Sequence, residues 1–470
     1  MKYLFGVGIV LLTILASTSG CKKTTFYSGD NLNFSTDTLV FDTVFTTIGS
    51  VTKRFKIYNN SNRTLNISQI QLVDGANSFF RINVDGMVGI NFSEIELEGK
   101  DSLFVFVEVT LDPSNTSNPM VIEDRLKFTT NGTDQFVELV AWGQDAYFHY
   151  SYISQDSIAY AEGIWPNDKP HVIYGAVVID SAKTLIIQAG TDIYLHKDAI
   201  LFVNKGALNI NGTLGNEVTL QGDRLEAFYD DVAGQYYGIY FNQALPSSIN
   251  YAIIKNGIAG VHLYSEDASN TGYTLQLSNT IIRNNSSYGL FIFQGAKVNA
   301  ENCVIAKNGI HALAVIGGGD FNLNHCHLLG YGIGDNEAAA VGVSNWYTNS
   351  LLMQTEISSI NEGTITNSLI YGNIDNELAI DTIPNASLTL NFNFEYNLIK
   401  SSVIFGLPIF KPTNLWNQEP LLKDVPMNDF HFWSTSPLND AGGALFPTSN
   451  GLDLDGTSRI GADIGAYEFL

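Results

Sequence analysis

The chain has 470 residues and a formal net charge of −23, with 47 acidic side chains against 24 basic ones. A field of this sign repels polyanions, which excludes nucleic acid as a partner and means that a polyanionic glycan would need a basic patch or a bridging metal. Only 15% of the residues are charged while 12% are aromatic and glycine is abundant, so the composition favours strands and turns over helices.

The N-terminus reads MKYLFGVGIVLLTILASTSGCKK, in which Lys2 precedes an apolar run over residues 4–16. This run is short for a membrane span and suits a secretion signal. The string TSGC resembles a bacterial lipobox, although Thr18 stands where leucine is commoner. The resemblance implies that residues 1–20 are a lipoprotein signal peptide and that Cys21 is acylated, which anchors the chain in a membrane. An ordinary signal peptide that happens to meet a cysteine is the alternative.

Residues 21–35 are polar without a sustained period, so we expect a tether. Residues 36–147 contain short runs of alternating apolar and polar residues, such as TLVFDTVF and SLFVFVEV, separated by turn signals such as NGT. This pattern predicts an antiparallel sandwich of about seven strands. The segment resembles the immunoglobulin-like modules that bacterial surface proteins carry near their anchors, which implies a spacer or docking role.

Residues 148–446 repeat one pattern at intervals of 23 to 28 residues, with one longer interval. The pattern recurs in NYAIIKNG (250–257), SNTIIRNN (278–285), ENCVIAKNG (301–309), NHCHLLGYG (324–332) and TNSLIYGN (366–373). Strands this short must stack on copies of themselves to bury an apolar side, which predicts a solenoid. The stretch resembles the right-handed parallel β-helices of the pectate-lyase-like superfamily. The predicted fold class is therefore all-β, an immunoglobulin-like β-sandwich followed by a right-handed parallel β-helix.

A wider resemblance covers most of the chain, to Gram-negative lipoproteins that pair an immunoglobulin-like module with a β-helix. It implies a cell-envelope location at the outer membrane and leaves open which face the protein occupies. The final string DLDGTSRIGADIGAYEF resembles a motif found after many secreted β-helices, which implies a C-terminal cap over residues 447–470. We expect Arg459 to pair with Asp455 or Asp463 in that cap.

Side chains alternate between the two faces of a strand, so the repeats predict an interior stack and an exterior stripe. The stack comprises Ala252, Thr280, Cys303 and Cys326, and the stripe comprises Ile253, Ile281, Val304 and His327. Parallel neighbours suit a disulfide poorly, so we expect free packed thiols, with a disulfide or a metal role as alternatives. The apolar stripe should be covered by a loop, the first domain or a partner protein.

The asparagines that close three of these strands, Asn256, Asn284 and Asn308, predict an interior ladder of amide side chains. A polar binding stripe is the other interpretation. The outward Lys255 and Arg283 form a candidate basic pair for a lyase, against the simpler interpretation as surface charge. The strings that mark hydrolases of the superfamily, with clustered aspartates beside Gly-His-Gly, are absent from the sequence.

Two insertions interrupt the repeat, and functional groups in solenoids tend to lie on such insertions. The candidate ligand-binding residues are Asp223, Arg224, Glu226, Asp230, Asp231, Tyr236 and Tyr237 in residues 222–238, and Trp346 and Tyr347 in residues 334–349. Carboxylates could bind calcium or sugar hydroxyls, and tyrosine rings could stack on sugars. A structural loop that covers one flank is the alternative for each. The histidines lack metal-ligand spacing, so we expect no cofactor other than a possible calcium ion.

These features predict an envelope-anchored lipoprotein whose β-helix is a non-catalytic surface for binding a glycan or a protein. The alternative is a polysaccharide lyase or glycoside hydrolase of the same superfamily. The expected partners are the membrane, through the lipid anchor, and either a polysaccharide or another envelope protein. The fold alone does not choose between these functions, and the sequence does not define an oligomeric state.

Overall fold

The computed structural model describes residues 31–45, 49–111, 120–151, 158–266, 272–332, 337–402 and 408–469. The chain divides into two compact units, residues 1–145 and 146–470. Strands form the regular structure of the described residues, and within them no helix has the length and apolar character needed to cross a membrane. Cys21, the predicted lipid anchor, lies outside the described residues.

The first unit is a β-sandwich of two five-stranded sheets. Its strands are β1 (Asn33–Phe34), β2 (Thr38–Phe45), β3 (Lys53–Tyr58), β4 (Leu65–Leu72), β5 (Phe80–Val84), β6 (Met87–Gly89), β7 (Asn91–Leu97), β8 (Ser102–Val109), β9 (Met120–Thr130) and β10 (Thr133–Gln144). The sheets have the orders β1-β3-β8-β5-β6 and β2-β10-β9-β4-β7, and β2 pairs parallel to β10. The alternation in β8 buries Leu103, Val105, Val107 and Val109, because every second side chain points between the sheets. One turn of 3-10 helix covers Gly75–Asn77.

The second unit is a parallel β-helix. Its first strands are β11 (Tyr147–Tyr150), β12 (Ala159–Tyr160), β13 (Gly163–Trp165), β14 (His171–Tyr174), β15 (Ala176–Ile179), β16 (Thr184–Gln188), β17 (Asp192–Leu195), β18 (Ile200–Asn204), β19 (Ala207–Asn211), β20 (Val218–Gly222), β21 (Gly238–Asn242), β22 (Ser247–Asn250), β23 (Ala252–Lys255), β24 (Ala259–Ser265), β25 (Leu275–Ser278) and β26 (Ile281–Arg283). The strands that follow are β27 (Tyr288–Gln294), β28 (Lys297–Glu301), β29 (Val304–Ala306), β30 (His311–Ile316), β31 (Asp320–Asn324), β32 (His327–Gly330), β33 (Val341–Ser344), β34 (Trp346–Asn349), β35 (Gln354–Ile357), β36 (Ile360–Thr366), β37 (Leu369–Gly372), β38 (Leu378–Asp381), β39 (Leu390–Glu395), β40 (Leu398–Ile399), β41 (Leu415–Trp416), β42 (Leu422–Asp424) and β43 (Asp429–Phe432).

Successive coils contribute one strand to each of three parallel sheets. Face 1 has the order β11-β14-β17-β20-β23-β26-β29-β32-β37-β40-β41, face 2 the order β12-β15-β18-β21-β24-β27-β30-β33-β38, and face 3 the order β13-β16-β19-β22-β25-β28-β31-β36-β39. The turn from face 3 to face 1 contains one residue with positive φ, such as Asn279 at 48° or Asn302 at 52°. Asparagine tolerates this left-handed conformation better than most residues, which explains why Asn279, Asn302 and Asn367 precede the face 1 strands β26, β29 and β37.

The predicted interior stack is confirmed on face 1. Thr280, Cys303 and Cys326 are fully buried on adjacent coils, and the next coil continues the stack with Ser368. The hydroxyl or thiol of each donates to the backbone carbonyl two residues earlier, at 2.7 Å for Thr280 and 3.2 Å for Cys303. Both thiols are free, as predicted. Burial raises the pKa of the Cys303 thiol, so this group stays protonated.

The amide ladder differs from the prediction in its register. Asn284 donates from Nδ2 to Asn256 Oδ1 at 2.7 Å, as expected. Asn308, however, pairs with Asn285, whose Nδ2 donates to Asn308 Oδ1 at 2.9 Å. The prediction for Asn308 was wrong by one residue, because Lys307 takes the positive-φ position (54°) that Asn284 takes on the preceding coil.

The outward stripe is covered in part by the chain's own C-terminal segment, defined here as residues 419–469. Ile281 is partly buried against the cluster that this segment forms, whereas Ile253 is half-buried and lies outside that cluster. Val304 and His327 are fully buried, and Val304 shares a cluster with Phe430 and Ile464 of this segment. The backbone N–H of Ala466 donates to His327 Nδ1 at 2.8 Å. The segment therefore lies along face 1 over strands such as β29, β32 and β37, whereas we had expected a cap at the end of the solenoid.

Arg459 contacts different partners from those predicted. Its Nη1 lies 3.4 Å from Glu468 Oε2, and its Nη2 donates to Asn302 Oδ1 at 2.8 Å. Asp455 instead accepts from His431, and Asp463 accepts backbone N–H groups, so neither carboxylate is the ion-pair partner. Backbone N–H groups of Ile460, Gly461 and Asp463 donate to the Glu468 carboxylate and hold it beside the guanidinium. The spacing of the aspartates in the sequence did not reveal this contact.

Candidate functional site

The first insertion lies against face 1 and neutralises the candidate basic pair. Asp230 Oδ1 is 2.7 Å from Lys255 Nζ, and Asp231 Oδ1 is 2.9 Å from Arg283 Nη1. The Lys255 ammonium lowers the pKa of Asp230 through a hydrogen bond and its charge. Lys255 is almost fully buried under the loop. A cation held this way stabilises the loop and is a poor general base, because losing its proton would break the ion pair.

The other charged residues of the insertion are also paired. Arg224 Nη2 lies 2.8 Å from Glu226 Oε1, and its guanidinium covers the ring of Tyr229 at 4.0 Å. Asp223 Oδ2 lies 2.7 Å from His196 Nδ1. The charged residues predicted to contact a ligand therefore contact each other or the solenoid, in agreement with the alternative interpretation of a loop that covers one flank.

The two tyrosines of this insertion have different environments. Tyr236 is 0% exposed within the interior core, and its hydroxyl donates to the Lys255 carbonyl at 2.9 Å. The prediction that Tyr236 contacts a ligand is wrong for this reason. Tyr237 is half-buried on the outer side of face 2, where its hydroxyl lies 3.0 Å from His262 Nδ1.

Face 2 has an external ladder of stacked aromatic rings. Phe202, Tyr240, His262 and Phe291 occupy the same position on successive coils, with ring centroids separated by 5.3, 4.4 and 4.4 Å. Rings stacked along the coil axis cover each other's faces and present their edges outward. A sugar can therefore stack on a ring face only where a ladder ends.

A second aromatic row ends at the hairpin β34–β35, at the corner between face 2 and face 3. Tyr264 stacks on Phe293 at 5.7 Å, and the ring of Tyr347 meets Phe293 at 5.0 Å with an interplanar angle of 71°. The Tyr347 hydroxyl donates to Glu356 Oε2 at 2.7 Å and accepts from Gln294 Nε2 at 2.8 Å. The hairpin is thereby fixed to the coil that bears Phe293.

A groove of about 640 Å³ lies where this row meets the hairpin. It is lined by the aromatic residues Tyr240, Tyr264, Phe293 and Tyr347 and by the carboxylates Glu266 and Glu356, among others. The Tyr264 hydroxyl donates to Glu266 Oε1 at 2.7 Å, so each carboxylate accepts from one tyrosine.

The tyrosine–glutamate pairs have shifted pKa values. Burial and the hydrogen bond to Glu266 raise the pKa of Tyr264 to about 12. Hydrogen bonds from Tyr347 and Asn349 lower the pKa of Glu356. Both tyrosines therefore stay protonated and Glu356 stays ionised near neutral pH, which gives the groove apolar rings beside charged acceptors.

A smaller cavity of about 140 Å³ adjoins the groove on the side of face 3. Glu266 and Gln294 line both spaces, and the cavity also contains Lys297 and Asp320 from adjacent coils. Lys297 Nζ lies 3.2 Å from Asp320 Oδ2, and Asp320 Oδ1 accepts the Asn361 N–H at 2.7 Å. A cation and carboxylates thus share one cleft, but the cation is already opposed by a buried carboxylate.

The structure therefore brings together only a few of the predicted site residues. Tyr347 lines the groove and Trp346 is its half-buried neighbour on β34. Asp230 and Asp231 of the first insertion lie over face 1, and Tyr237 lies on face 2 but does not line the groove. Sequence reasoning missed Tyr264, Phe293 and Glu266. The alternation in GVHLYSE and GLFIFQG, which places aromatic residues at outward positions of consecutive coils, could have identified them. No cluster that could hold a metal ion is found within the described residues.

Comparison with known proteins agrees with this architecture. A family model described as a right handed beta helix region matches residues 170–328. Together with the three parallel sheets, the match establishes the fold class: an N-terminal β-sandwich followed by a right-handed parallel β-helix. No curated protein matches the chain.

Two solved structures show limited similarity. A family 123 glycoside hydrolase from Clostridium perfringens, studied for glycolipid glycan hydrolysis, aligns at 8% identity and a TM-score of 0.17 over 24% of this chain and 25% of its own. A PapD-like domain of human CEP192 aligns at 10% identity and a TM-score of 0.18 over 27% of this chain and 94% of its own. Scores this low carry no argument about fold or function.

Proposed function

We propose that the β-helix is a non-catalytic scaffold that binds a glycan in the groove between Phe293 and the hairpin β34–β35. The observation that supports the proposal is the combination of ring surface and paired carboxylates in one open space of about 640 Å³. Sugars present C–H faces that pack on aromatic rings and hydroxyls that donate to carboxylates and amides. The volume suits a few sugar units of a longer chain.

The location of the protein is part of the same proposal. Acylation of Cys21 would hold the chain at the outer membrane as a lipoprotein, and residues 21–35 would act as a tether. The 12 residues from Cys21 to Asn33 at the start of β1 would reach at most about 40 Å when extended, which keeps the sandwich near the membrane. The sandwich would then act as an immunoglobulin-like spacer. Fatty-acid labelling of the wild type and of Cys21→Ser tests the anchor. We expect label in the wild type and none in the variant.

The binding site is tested with two phenylalanines. Phe293 lines the groove, whereas Phe228 is 78% exposed on the first insertion and does not line it. A glycan array identifies a ligand, and calorimetry then measures its Kd for each variant. Loss of a packed aromatic surface costs about 1.5–3 kcal/mol, so Phe293→Ala should weaken binding about tenfold to hundredfold. Phe228→Ala should leave the Kd unchanged. Equal effects of the two substitutions, or no binding by any glycan, would contradict the proposal.

The adjoining cavity is the observation that favours an enzyme instead. Lys297, Asp320 and Glu266 meet on adjacent coils, which is the arrangement that a polysaccharide lyase or hydrolase of this superfamily would need. Product analysis on the bound glycan distinguishes the two functions. Shortened or unsaturated products that disappear in Lys297→Met would establish catalysis, and intact glycan after prolonged incubation would support the binding scaffold.

A further inference from the structure

The groove contains carboxylates and no opposing cation. Glu266 and Glu356 stand beside the aromatic surface, and no Lys or Arg is among the described residues that line the groove. The cation in the adjoining cavity, Lys297, is matched by Asp320 at 3.2 Å and leaves no excess positive charge. The net charge of −23 adds to the negative field around this site.

Three hydrogen-bond donors of the groove are directed at these carboxylates. The Tyr264 hydroxyl donates to Glu266, and the Tyr347 hydroxyl and the Asn349 amide donate to Glu356. A ligand therefore meets acceptors with unused lone pairs, since each carboxylate can accept about four hydrogen bonds. Ligand groups that donate, such as hydroxyls, would make charge-assisted hydrogen bonds here, whereas an anionic group would be repelled.

We infer that the groove takes an uncharged polysaccharide, whose hydroxyls donate to Glu266 and Glu356, and that it rejects glycans rich in uronate or sulfate. This inference rests on the proposed glycan site and identifies the class of glycan.

The absence of cations among the described lining residues of the groove also bears on the enzymatic alternative. Elimination from a glycan removes the proton at C5, which a C6 carboxylate makes acidic once a cation neutralises that carboxylate. A groove that offers carboxylates in place of cations opposes that step.

The test compares one glycan in two charge states. The neutral glycan that binds best is used as such and after selective oxidation of its C6 hydroxyls to carboxylates, so that linkage and length stay the same. Calorimetry or fluorescence gives the Kd of both forms at 50 mM and 500 mM salt. The oxidised form should bind at least tenfold more weakly at low salt, and the difference should shrink at high salt because screening weakens the repulsion.

A double variant and a control variant assign the discrimination to the groove. Glu266→Gln and Glu356→Gln together should narrow the difference between the two forms to less than threefold. Glu362→Gln is the matched control, because Glu362 also accepts from a tyrosine, Tyr273, at 2.8 Å but lies outside the groove. It should retain the full difference. Circular dichroism confirms that each variant is folded.

The possible results separate this inference from the proposed function. If no glycan of either charge binds, or if Phe293→Ala leaves binding intact, the glycan site itself is wrong. If a glycan binds, Phe293→Ala weakens it, and the oxidised form binds as tightly as the neutral form, the site stands and the charge selection is overturned. Equal loss of discrimination in Glu362→Gln would also overturn it, since the effect would then come from the general field of the protein.

Discussion

Substitution of Arg459 by methionine should release the C-terminal segment from face 1. The guanidinium is buried, with 5% of its side chain exposed, and it faces Glu468, which is 3% exposed. Removing one member of a buried ion pair costs about 3–5 kcal/mol, because the other charge remains without compensation. Glu468 keeps backbone N–H donors from Ile460, Gly461 and Asp463, and Arg459 Nε has no hydrogen-bond partner among the described residues. Asn302 Oδ1 and the Gly465 carbonyl lose a donor in the variant. We therefore expect a cost of at least about 3 kcal/mol, the lower limit of that range.

Amide hydrogen exchange measures this cost where it arises. A change of about 3 kcal/mol corresponds to a roughly hundredfold faster exchange in peptides from residues 460–469, including Ala466, whose N–H donates to His327. Arg224→Met is the matched control, because its ion pair with Glu226 joins partly exposed side chains on the surface. That pair is worth less than about 1 kcal/mol, and its loss should leave residues 460–469 unchanged.

Two results would refute this reasoning. Exchange in residues 460–469 that rises less than tenfold in Arg459→Met would show that the ion pair does not hold the segment. A comparable rise in Arg224→Met would show that the effect is not local. Glycan binding should be unaffected in both variants, since neither arginine lines the groove.

The other predictions concern His327, Cys303 and the hairpin tip. Burial lowers the pKa of His327 to about 3, below its ordinary 6.5, so the unfolded chain takes up this proton first as the pH falls. The contribution of His327 to stability should therefore drop by up to about 1.4 kcal/mol per pH unit between pH 6 and 4, and His327→Asn should reduce the slope measured in urea titrations by this amount. Cys303→Ser should change the free energy of unfolding by less than about 1 kcal/mol in the same titrations, because Thr280 on the adjacent coil already donates a hydroxyl at the equivalent position of the stack. Cys303→Leu should lower the free energy of unfolding by about 1–3 kcal/mol, because the larger side chain overpacks a fully buried position. Leu351 is 93% exposed and lines the groove, while Leu352 is 61% exposed and does not, so Leu351→Ser should raise the Kd for the glycan several-fold and Leu352→Ser should not.

The opposing terms in the pH prediction are explicit. Asp429 and Asp455 raise the pKa of His431, so the stability from that contact is present at low pH and is lost above its raised pKa. Burial raises the pKa of Asp463 to about 6, which favours the folded state as the pH falls toward 4. Burial also lowers the pKa of His262 to about 4 and that of His325 to about 3, so these histidines add to the slope in the same direction as His327. All these terms persist in His327→Asn, so the difference between the wild type and the variant isolates the contribution of His327.

The sequence was sufficient to predict the solenoid because the same residue pattern recurs on successive coils. Each coil places a small residue such as Thr280 or Cys303 inside and an aliphatic residue two positions later, and this spacing can be read without coordinates. The same alternation predicted that the outward Val304 must be covered. It did not identify the cover, because the C-terminal segment returns from more than 100 residues away.

The groove was harder to predict because it depends on an insertion. The repeat pairs Tyr264 with Phe293 on adjacent coils, but no repeat interval brings Glu356 of the hairpin beside them. The charged residues of the first insertion were predicted to contact a ligand because that segment interrupts the repeat. Their partners, such as Lys255 and Arg283, could be seen only once the loop was placed on face 1.

The position of the groove follows from how the other surfaces satisfy their own contacts. On face 3, Asn322 donates to Asn299 at 3.0 Å and Asn299 donates to Gln276 at 2.9 Å, so a ligand would have to break existing hydrogen bonds. On face 1 outward side chains such as Val304 and His327 are covered by the C-terminal segment, and on face 2 the rings of the ladder cover each other. At the corner, where the hairpin interrupts the row after Phe293, ring surface and unused carboxylate lone pairs face solvent together. A ligand gains most where the repeat is interrupted, because uninterrupted coils have already formed the contacts that a ligand would offer.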